Sequence, residues 1–401
     1  MELCAMTLYI HIPFCASKCG YCAFSSYTGV DSSVQQAYVQ ALLLDITSTL
    51  DGYYHGSLEF SLLDSRELEQ KSSIQDTRVL ESKSLGSANF AQLDSIYIGG
   101  GTPSLLPSSA YALIFEQIAR FCDMQSVQEI TIEANPNSLQ AQWCKDLASF
   151  GASRISFGVQ SFNPRKLVFL EREHSGRDIY HALEAAQVFP HRSIDMMYGT
   201  PFDDEATLRA DMQKACALDI DHLSAYSLMI EQGARFAHKY QSLATSTREQ
   251  GDDLAMQAKL VRTITSECGF SQYEVSNFAR PYKCLHNRKY WAGEEYLGCG
   301  VGAVGRVGQV RYKGAKDLRA YMQNPLAKEC ESLALSDLAF EAVFLGLRSE
   351  VGVDIAAVSA YINPNRLSIL LEEKMCIVQG GRLIASDIFL ADEITLWLMR
   401  E

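Results

Sequence analysis

Short apolar runs recur along the chain and are separated by longer segments in which apolar and polar residues mix. Six of these runs, rich in residues typical of strands, lie at 8–12, 95–98, 129–133, 154–157, 194–197 and 222–227. Repeated alternation of a strand with a segment long enough for a helix predicts a parallel sheet with helices on its outside. A closed barrel would need eight such units, so six favour an incomplete barrel in an α/β fold.

The segment 34–50 is the clearest helical pattern between these runs. Its apolar residues Tyr38, Leu42, Ile46 and Leu50 fall on one face, and residues 31–33 offer side chains that can cap a helix start. We therefore expect an amphipathic helix that packs on the sheet.

Two regions depart from the repeat. Residues 57–92 are rich in serine and charge, which predicts an inserted surface loop or mobile helix. The repeat stops near residue 235, and residues 331–401 carry a helical pattern at 338–348. We expect a barrel domain over 1–235, a connecting region over 236–330 and a smaller, mostly helical domain over 331–401.

Composition limits the classes of function. The chain has 401 residues and a formal net charge of −13, which argues against a nucleic-acid partner. No apolar stretch approaches the ~20 residues of a membrane span. Most of the twelve cysteines are scattered singly, as expected of reduced thiols, and no basic region precedes an apolar stretch at the N-terminus. We expect a cytoplasmic protein.

Three cysteines form the most informative motif. Cys15, Cys19 and Cys22 follow the first predicted strand at C-x3-C-x2-C spacing. Three thiolates can ligate three irons of a 4Fe–4S cluster and leave the fourth iron open for a reactant. The alternative is a zinc site with His11 or a distant cysteine as fourth ligand, but structural zinc sites usually have a second ligand pair, and none lies nearby.

With an aromatic residue, Tyr21, before the third cysteine, this spacing resembles the signature of the radical S-adenosylmethionine (SAM) family. The resemblance implies that the open iron takes the amino and carboxylate groups of SAM. The second predicted strand ends in a glycine-rich run, 99–103, which lets backbone approach a ligand closely. In the family, this run meets the methionine end of SAM.

Polar residues follow the next strands in order. Glu133, Gln160 and Asp195 lie at or near successive predicted strands, and Arg172 follows soon after Gln160. The carboxyl ends of parallel strands face one crevice, so we expect these side chains to share a ligand site. An acid can accept a hydrogen bond from a ribose hydroxyl, and an arginine can bind a carboxylate. A polar residue of this kind, taken singly, is more often a structural surface group.

The phrases at 11–15, 99–103, 133–136 and 198–199 resemble the HemN/HemW branch of the radical SAM family throughout. The resemblance implies a partial (β/α)6 TIM-like radical SAM barrel with a smaller, mostly helical C-terminal domain of the HemN type. It also implies which residues line the SAM site: Tyr9, Tyr21, Gly100, Gly101, Thr102, Glu133, Gln160, Arg172 and Asp195.

Two groups make up this branch: the oxygen-independent coproporphyrinogen III dehydrogenases, also called oxidases, and the heme chaperones. The dehydrogenase pattern has a further cysteine two residues after the third cluster cysteine, where this chain has Phe24. It also has an N-terminal extension, whereas seven residues precede the first predicted strand here. Both differences favour the heme chaperone group.

The stretch 284–291 contains H-N-x2-Y-W, which resembles the heme-binding motif of the chaperone group; residues 273–280 match the group as well. His286 is suited to be an axial iron ligand, and Asn287 to orient its ring. Tyr290 and Trp291 offer flat surface for a porphyrin, and Tyr290 could also ligate iron. Cys284 is either a thiolate ligand or a bystander. The alternative is a packing cluster in which His286 bonds a buried carbonyl.

The sequence thus leads to two hypotheses. In the first, the protein is a heme chaperone without coproporphyrinogen dehydrogenase activity. It binds a 4Fe–4S cluster, SAM and heme, and delivers heme to an unidentified client apo-hemoprotein. In the second, it is a SAM-dependent coproporphyrinogen III oxidase of porphyrin biosynthesis. An electron donor such as a flavodoxin-like protein is expected by analogy alone.

Overall fold

The computed structural model describes residues 6–54, 92–231, 233–240 and 248–399. Within them, fifteen strands form two sheets: β1 (Met6–Ile12), β2 (Leu93–Gly100), β3 (Glu129–Ala134), β4 (Arg154–Gln160), β5 (His191–Tyr198), β6 (His222–Ser227), β7 (Ser271–Gln272), β8 (Asn277–Ala279), β9 (Tyr296–Cys299), β10 (Val304–Val307), β11 (Val310–Gly314), β12 (Lys328–Ser332), β13 (Val353–Asp354), β14 (Cys376–Gln379) and β15 (Arg382–Ala385).

The α-helices of the same residues are α1 (Ser32–Tyr54), α2 (Ser108–Ala119), α3 (Ala141–Ser149), α4 (Pro164–Phe169), α5 (Gly176–Ala185), α6 (Glu205–Cys216), α7 (Arg235–Lys239), α8 (Arg248–Glu267), α9 (Leu285–Trp291), α10 (Leu318–Gln323), α11 (Leu335–Gly346), α12 (Ile355–Val358), α13 (Pro364–Glu372) and α14 (Ala391–Leu398). Helices therefore follow each of the first six strands.

The six predicted strands are the centre of the larger sheet. Strands β1 to β6 lie side by side in chain order, and each pair is parallel. Strand β9 adds in parallel to β1, whereas β8 adds antiparallel to β6. The sheet runs from β12 to β7, and within the described residues these two outer strands do not pair. The predicted α/β fold with an incomplete barrel is confirmed.

Burial on both faces explains why the strands are continuous apolar runs rather than alternating ones. Leu8, Ile98, Ile132, Ile155 and Ile194 have no exposed surface and belong to one core. Strand β2 extends past its predicted limits because Asp94 and the terminal glycines continue it without adding an apolar signal.

Helix α1 has the predicted apolar face. Tyr38, Leu42, Ile46 and Leu50 are fully buried. The carboxylate of Asp31 accepts hydrogen bonds from the backbone N–H of Ser33 at 2.9 Å and of Val34 at 3.0 Å, which satisfies two donors at the helix start.

The C-terminal part of the chain has a second core, which includes Val343, Leu347, Leu370, Leu383 and Ile394. Helices α11 to α14 supply most of it, as the helical pattern predicted. A small antiparallel sheet, in the order β13-β15-β14, comes in addition. Its strands are two to four residues long, too short to show a periodic pattern in the sequence.

The prediction for residues 57–92 lies outside the described residues, except for Gln92. Among the helices that the structure does describe, none combines the length and apolar character needed to cross a membrane.

Candidate functional site

The cysteine loop begins where β1 ends and lies over the carboxyl ends of the parallel strands. Backbone hydrogen bonds tie its base, from Cys15 N–H to Tyr27 O at 3.0 Å and from Tyr27 N–H to Pro13 O at 2.7 Å. Cys15, Cys19 and Cys22 are half-buried free thiols, and all three line one cavity of about 590 Å³. The loop therefore presents its three thiols to a common space.

Within the described residues, no three His, Cys, Asp or Glu side chains are grouped so as to hold a single metal ion. A zinc ion would need its ligands to converge on one point. In a cubane cluster each thiolate binds a different iron, so the sulfurs lie around a larger body. The donor set, three thiols on one loop beside a cavity, fits a cluster with an open iron.

Arg172 joins this loop to the sheet. Its Nη1 lies 3.6 Å from Cys19 Sγ, and its Nη2 donates to Asn135 Oδ1 and Gly158 O, each at 2.7 Å. Thr102 Oγ1 lies 3.7 Å from Cys15 Sγ. A guanidinium and a hydroxyl therefore lie beside two of the three sulfurs, where each can donate a hydrogen bond to a thiolate bound to iron.

Two carboxyl groups lie in the floor of the same cavity. Glu133 accepts from Tyr97 Oη at 2.7 Å and from the N–H of Gly100 at 3.0 Å, and Asp195 accepts from Ser156 Oγ at 3.3 Å. Burial raises the pKa of both carboxyl groups, and the charge of Asp195 adds to the effect on Glu133. These oxygens are suited to bind the hydroxyl or amino groups of a ligand.

The run Gly99–Gly101 is glycine because the protein itself fills the adjacent space. A Cβ on Gly99 would lie 2.9 Å from the Glu133 carboxyl group, and one on Gly101 2.7 Å from Phe14 O. Gly100 has a φ of +117°, and a Cβ there would lie 2.4 Å from His11 Cε1. The backbone of β2 is thereby brought against β1 and beneath Glu133.

Replacing Gly100 with alanine is expected to lower the free energy of unfolding by about 1–3 kcal/mol, because it combines backbone strain with a clash. Chemical denaturation would measure this change. Gly251→Ala is the matched control: it lies inside α8, a Cβ there meets nothing within 4 Å, and the change should be neutral or stabilising. If Gly100→Ala is as stable as wild type, the strain and the clash inferred at this position are contradicted.

Gln160 is held in an unusual conformation at the end of β4. Its φ of +64° lies in the left-handed region, where a non-glycine residue is strained by about 1–3 kcal/mol. The pairing of β4 with β5 shifts register between Gly158 and Gln160. This irregularity lies in the cavity wall.

The structure brings together most of the predicted SAM-site residues. Eight of them line the cavity of the cysteine loop: Tyr21, Gly100, Gly101, Thr102, Glu133, Gln160, Arg172 and Asp195. Tyr9 does not. It lies in the wall of a neighbouring cavity, where its hydroxyl is 2.9 Å from His11 Nδ1.

This second cavity has a volume of about 680 Å³ and adjoins the first. The two share the lining residues Ala23, Phe24, Tyr97, Tyr226 and Asn287. All four residues predicted for heme, His286, Asn287, Tyr290 and Trp291, line the second cavity, together with Tyr9 and Tyr296. Its wall is therefore largely aromatic.

His286 is buried and neutral. Its Nδ1 lies 3.0 Å from Ser95 Oγ, and burial lowers the pKa of the imidazole to about 3. The ring lies between those of Tyr97 and Tyr290, with centroid distances of 4.8 and 4.9 Å. A neutral imidazole with one nitrogen engaged is the form that ligates a metal.

Glu129, which the sequence reasoning missed, fixes the position of the His286 helix. This fully buried carboxylate accepts from the backbone N–H of Leu285 at 2.7 Å and of His286 at 3.2 Å, at the first turn of α9. A carboxylate there satisfies free N–H groups and complements the helix dipole. Burial opposes ionisation, but the charge of Arg154 and these hydrogen bonds outweigh it and lower the pKa of Glu129.

Cys284, directly before this helix, is also hydrogen-bonded to Glu129. Its thiol donates to Glu129 Oε1 at 3.3 Å, and burial raises its pKa. A thiol held in this way favours the bystander over the thiolate-ligand interpretation. Glu129 and Arg154 are buried charged residues that each begin a strand, and a charge in such a position is the signal that could have drawn attention to them.

Comparisons with known proteins agree with this geometry. The family model of the radical SAM superfamily matches residues 9–215. The heme chaperone HemW of Mycobacterium tuberculosis is 31% identical over 386 residues, covering 94% of this chain and 90% of that protein. The heme chaperone HemW of Escherichia coli is 31% identical, with 85% and 82% covered.

Among solved structures, coproporphyrinogen III oxidase (HemN) from Escherichia coli, described as a radical SAM enzyme, superposes with a TM-score of 0.74. The match covers 98% of this chain and 89% of that one at 18% identity. At this identity the likeness concerns the fold, which the two chains share over almost their whole length.

Proposed function

Since the chain belongs to the radical SAM superfamily and, within it, to the HemN/HemW branch, we propose that it is a heme chaperone, which binds heme in the second cavity and delivers it to a client apo-hemoprotein. The observation that carries this proposal is the cavity of about 680 Å³ whose aromatic wall contains the neutral imidazole of His286 and adjoins the cysteine loop. Its volume lies in the usual range for ligand pockets, about 300–1,000 Å³.

In this proposal Cys15, Cys19 and Cys22 hold the 4Fe–4S cluster, and the eight lining residues of the first cavity hold SAM. A bound cluster and SAM supply one-electron chemistry. Arg172 joins Cys19 Sγ to β4 through Gly158 O. Glu133 and Asp195 orient the hydroxyl and amino groups of SAM.

In the second cavity, His286 would hold the heme iron through Nε2, and Ser95 would fix the imidazole ring through Nδ1. Tyr290 and Trp291 supply flat surface for the porphyrin. Asn287 lies in the wall of both cavities and so connects the two sites. Burial and the neighbouring phenols raise the pKa of Tyr290, which opposes the phenolate form and favours His286 as the ligand.

Phe24 supports the chaperone over the dehydrogenase. It stands where the dehydrogenase pattern has a cysteine, is 67% exposed and lines both cavities. An apolar ring at this junction offers contact area to a flat ligand and has no thiol chemistry. The three-part organisation with boundaries near 235 and 330, a cytoplasmic location and a flavodoxin-like electron donor belong to the same proposal.

An anaerobic turnover assay tests the function. Cluster-reconstituted protein is incubated with coproporphyrinogen III, SAM and a reductant, and porphyrins are analysed by chromatography. We expect no decarboxylated product beyond the stoichiometric amount, whereas heme-loaded protein should transfer heme to an apo-hemoprotein. Formation of protoporphyrinogen over many turnovers would instead make the protein a coproporphyrinogen III oxidase.

A further inference from the structure

A buried carboxyl group with a free oxygen lies in the wall of the second cavity. Glu274 has no exposed surface. Its Oε2 accepts from the N–H of Ser276 at 3.1 Å, whereas its Oε1 has no hydrogen-bond partner. A buried polar atom left unpaired is unfavourable by about 1–3 kcal/mol, so such atoms are rare and usually have a further role.

Asn277 repeats this feature close by. It is 4% exposed, lines the same cavity, and its Oδ1 is also without a hydrogen-bond partner. These two unpaired polar atoms in the wall of one cavity define a polar patch, formed by Glu274 and Asn277. The patch lies within 273–280, a stretch that no part of the proposed function has used so far.

We propose that this polar patch is the subsite for one carboxyl group of the tetrapyrrole, with protonated Glu274 donating from Oε1 to that carboxylate. The proposal rests on the heme chaperone function proposed above. It names the part of the ligand that the wall recognises: a propionate side chain, rather than the macrocycle or the iron.

The protonation state of Glu274 explains why a carboxylate can bind at this patch. An ionised Glu274 would repel a carboxylate, whereas a neutral carboxyl group can share its proton with one in a strong hydrogen bond. Burial raises the pKa of Glu274 to about 7, so the neutral form is present at physiological pH. Lys313 also lines the cavity and is suited to pair with the second carboxylate of the same ligand.

Other titratable groups lie in the same wall as Glu274 or on the elements packed against it. Burial lowers the pKa of His286 to about 3 and also lowers that of His11. Burial raises the pKa of Tyr226 and Tyr273 above the usual range of tyrosine. Arg348 and Glu350 flank Ser349, which bridges to Glu274, and both are ion-paired, with Asp392 and Lys283 respectively. Burial and the charge of Lys316 lower the pKa of Lys313, which makes Lys313→Met a necessary control.

The sign of the pH dependence follows from the pairing. Only the protonated form of Glu274 binds the carboxylate, so heme affinity should be nearly constant near pH 6 and fall as the pH rises through the pKa of about 7. A group with this pKa is about 90% protonated at pH 6 and about 10% at pH 8, so affinity should be about tenfold weaker at pH 8.

The experiment measures the dissociation constant of heme at pH 6, 7 and 8 for wild type, Glu274→Gln and Lys313→Met. Glutamine offers an N–H donor at every pH, so its affinity should vary with pH no more than the titration of free heme requires. Wild type and Lys313→Met should both show the additional tenfold loss. Glu373→Gln, which changes an exposed glutamate of the C-terminal part, is the matched control.

Two further measurements make the test specific. Heme binding by wild type at pH 8 should take up about one proton, measured with an indicator dye, and binding by Glu274→Gln should take up none. Heme dimethyl ester, which lacks carboxylates, should bind wild type without the additional pH dependence. Thermal unfolding of each variant checks that it is folded.

The outcomes separate the subsite from the function. Equal pH dependence and equal proton uptake in wild type and Glu274→Gln would overturn the subsite while heme binding, and with it the chaperone function, stands. If wild type binds no heme at any pH, the proposed function itself fails and the subsite with it.

Discussion

Replacing Cys19 with alanine is expected to reduce the iron and acid-labile sulfide of anaerobically reconstituted protein from about four of each per chain to near zero. Two thiolates remain, and they cannot hold three irons of a cubane. Arg172 also loses one of its three contacts, because its Nη1 lies 3.6 Å from Cys19 Sγ. Iron and sulfide assays, with absorption near 400 nm as a third readout, would measure the change.

Cys330→Ala is the matched control for this experiment. Cys330 is likewise a half-buried free thiol, but it lies in β12 at the far end of the sheet. It should retain full iron and sulfide, and both variants should unfold at temperatures close to that of wild type. Full cluster content in Cys19→Ala would reject the ligand assignment, and one zinc per wild-type chain without sulfide would restore the zinc alternative.

The strands of the barrel could be predicted because each is buried on both faces by its own apolar residues. Ile96, Ile98, Ile130, Ile132 and Ile155 have almost no exposed surface, so the local run and the tertiary environment agree. The small C-terminal sheet could not be predicted in this way. In β14, Ile377 and Val378 are both 49% exposed, so neither face of this strand shows a burial pattern.

In the candidate site, too, some residues could be predicted from the sequence and others could not. Residues such as Glu133 and Gln160 follow strands in order, so parallel pairing alone places them at one edge of the sheet. The contact of Glu129 with the first turn of α9 joins residues more than 150 positions apart. Contacts of this kind depend on the path of the chain after β6, where the regular repeat that supported the prediction has ended.

Tyr9 illustrates a further limit. The side chains of a strand alternate between its two faces, and the prediction assigned Tyr9 to the SAM site by resemblance alone. In the structure its ring stacks on that of Tyr97 with a centroid distance of 6.3 Å, in the wall of the second cavity. Tyr97 lines both cavities, so its ring lies between Tyr9 and the first cavity, and any contact of Tyr9 with that cavity would be made through Tyr97.

Replacing His286 with alanine is expected to weaken heme binding at least tenfold, equivalent to about 1.4 kcal/mol, and to shift the Soret band, because the iron loses its proposed axial ligand. The substitution also removes the Ser95 hydrogen bond and the ring between Tyr97 and Tyr290. A loss of affinity alone could therefore reflect a disturbed wall. The spectrum is the more specific readout.

Ser95→Ala and His181→Ala separate these effects. Ser95→Ala keeps the imidazole but frees its Nδ1, so it should retain most of the affinity and shift the Soret band less than His286→Ala does. His181 is exposed on α5, and its removal should change neither property. If His286→Ala leaves both spectrum and affinity unchanged, Tyr290→Phe becomes the next variant. If only Tyr290→Phe shifts the Soret band, the iron ligand is the phenol of Tyr290. Iron would then have overcome the effect of burial, which raises the pKa of Tyr290 and opposes its phenolate form.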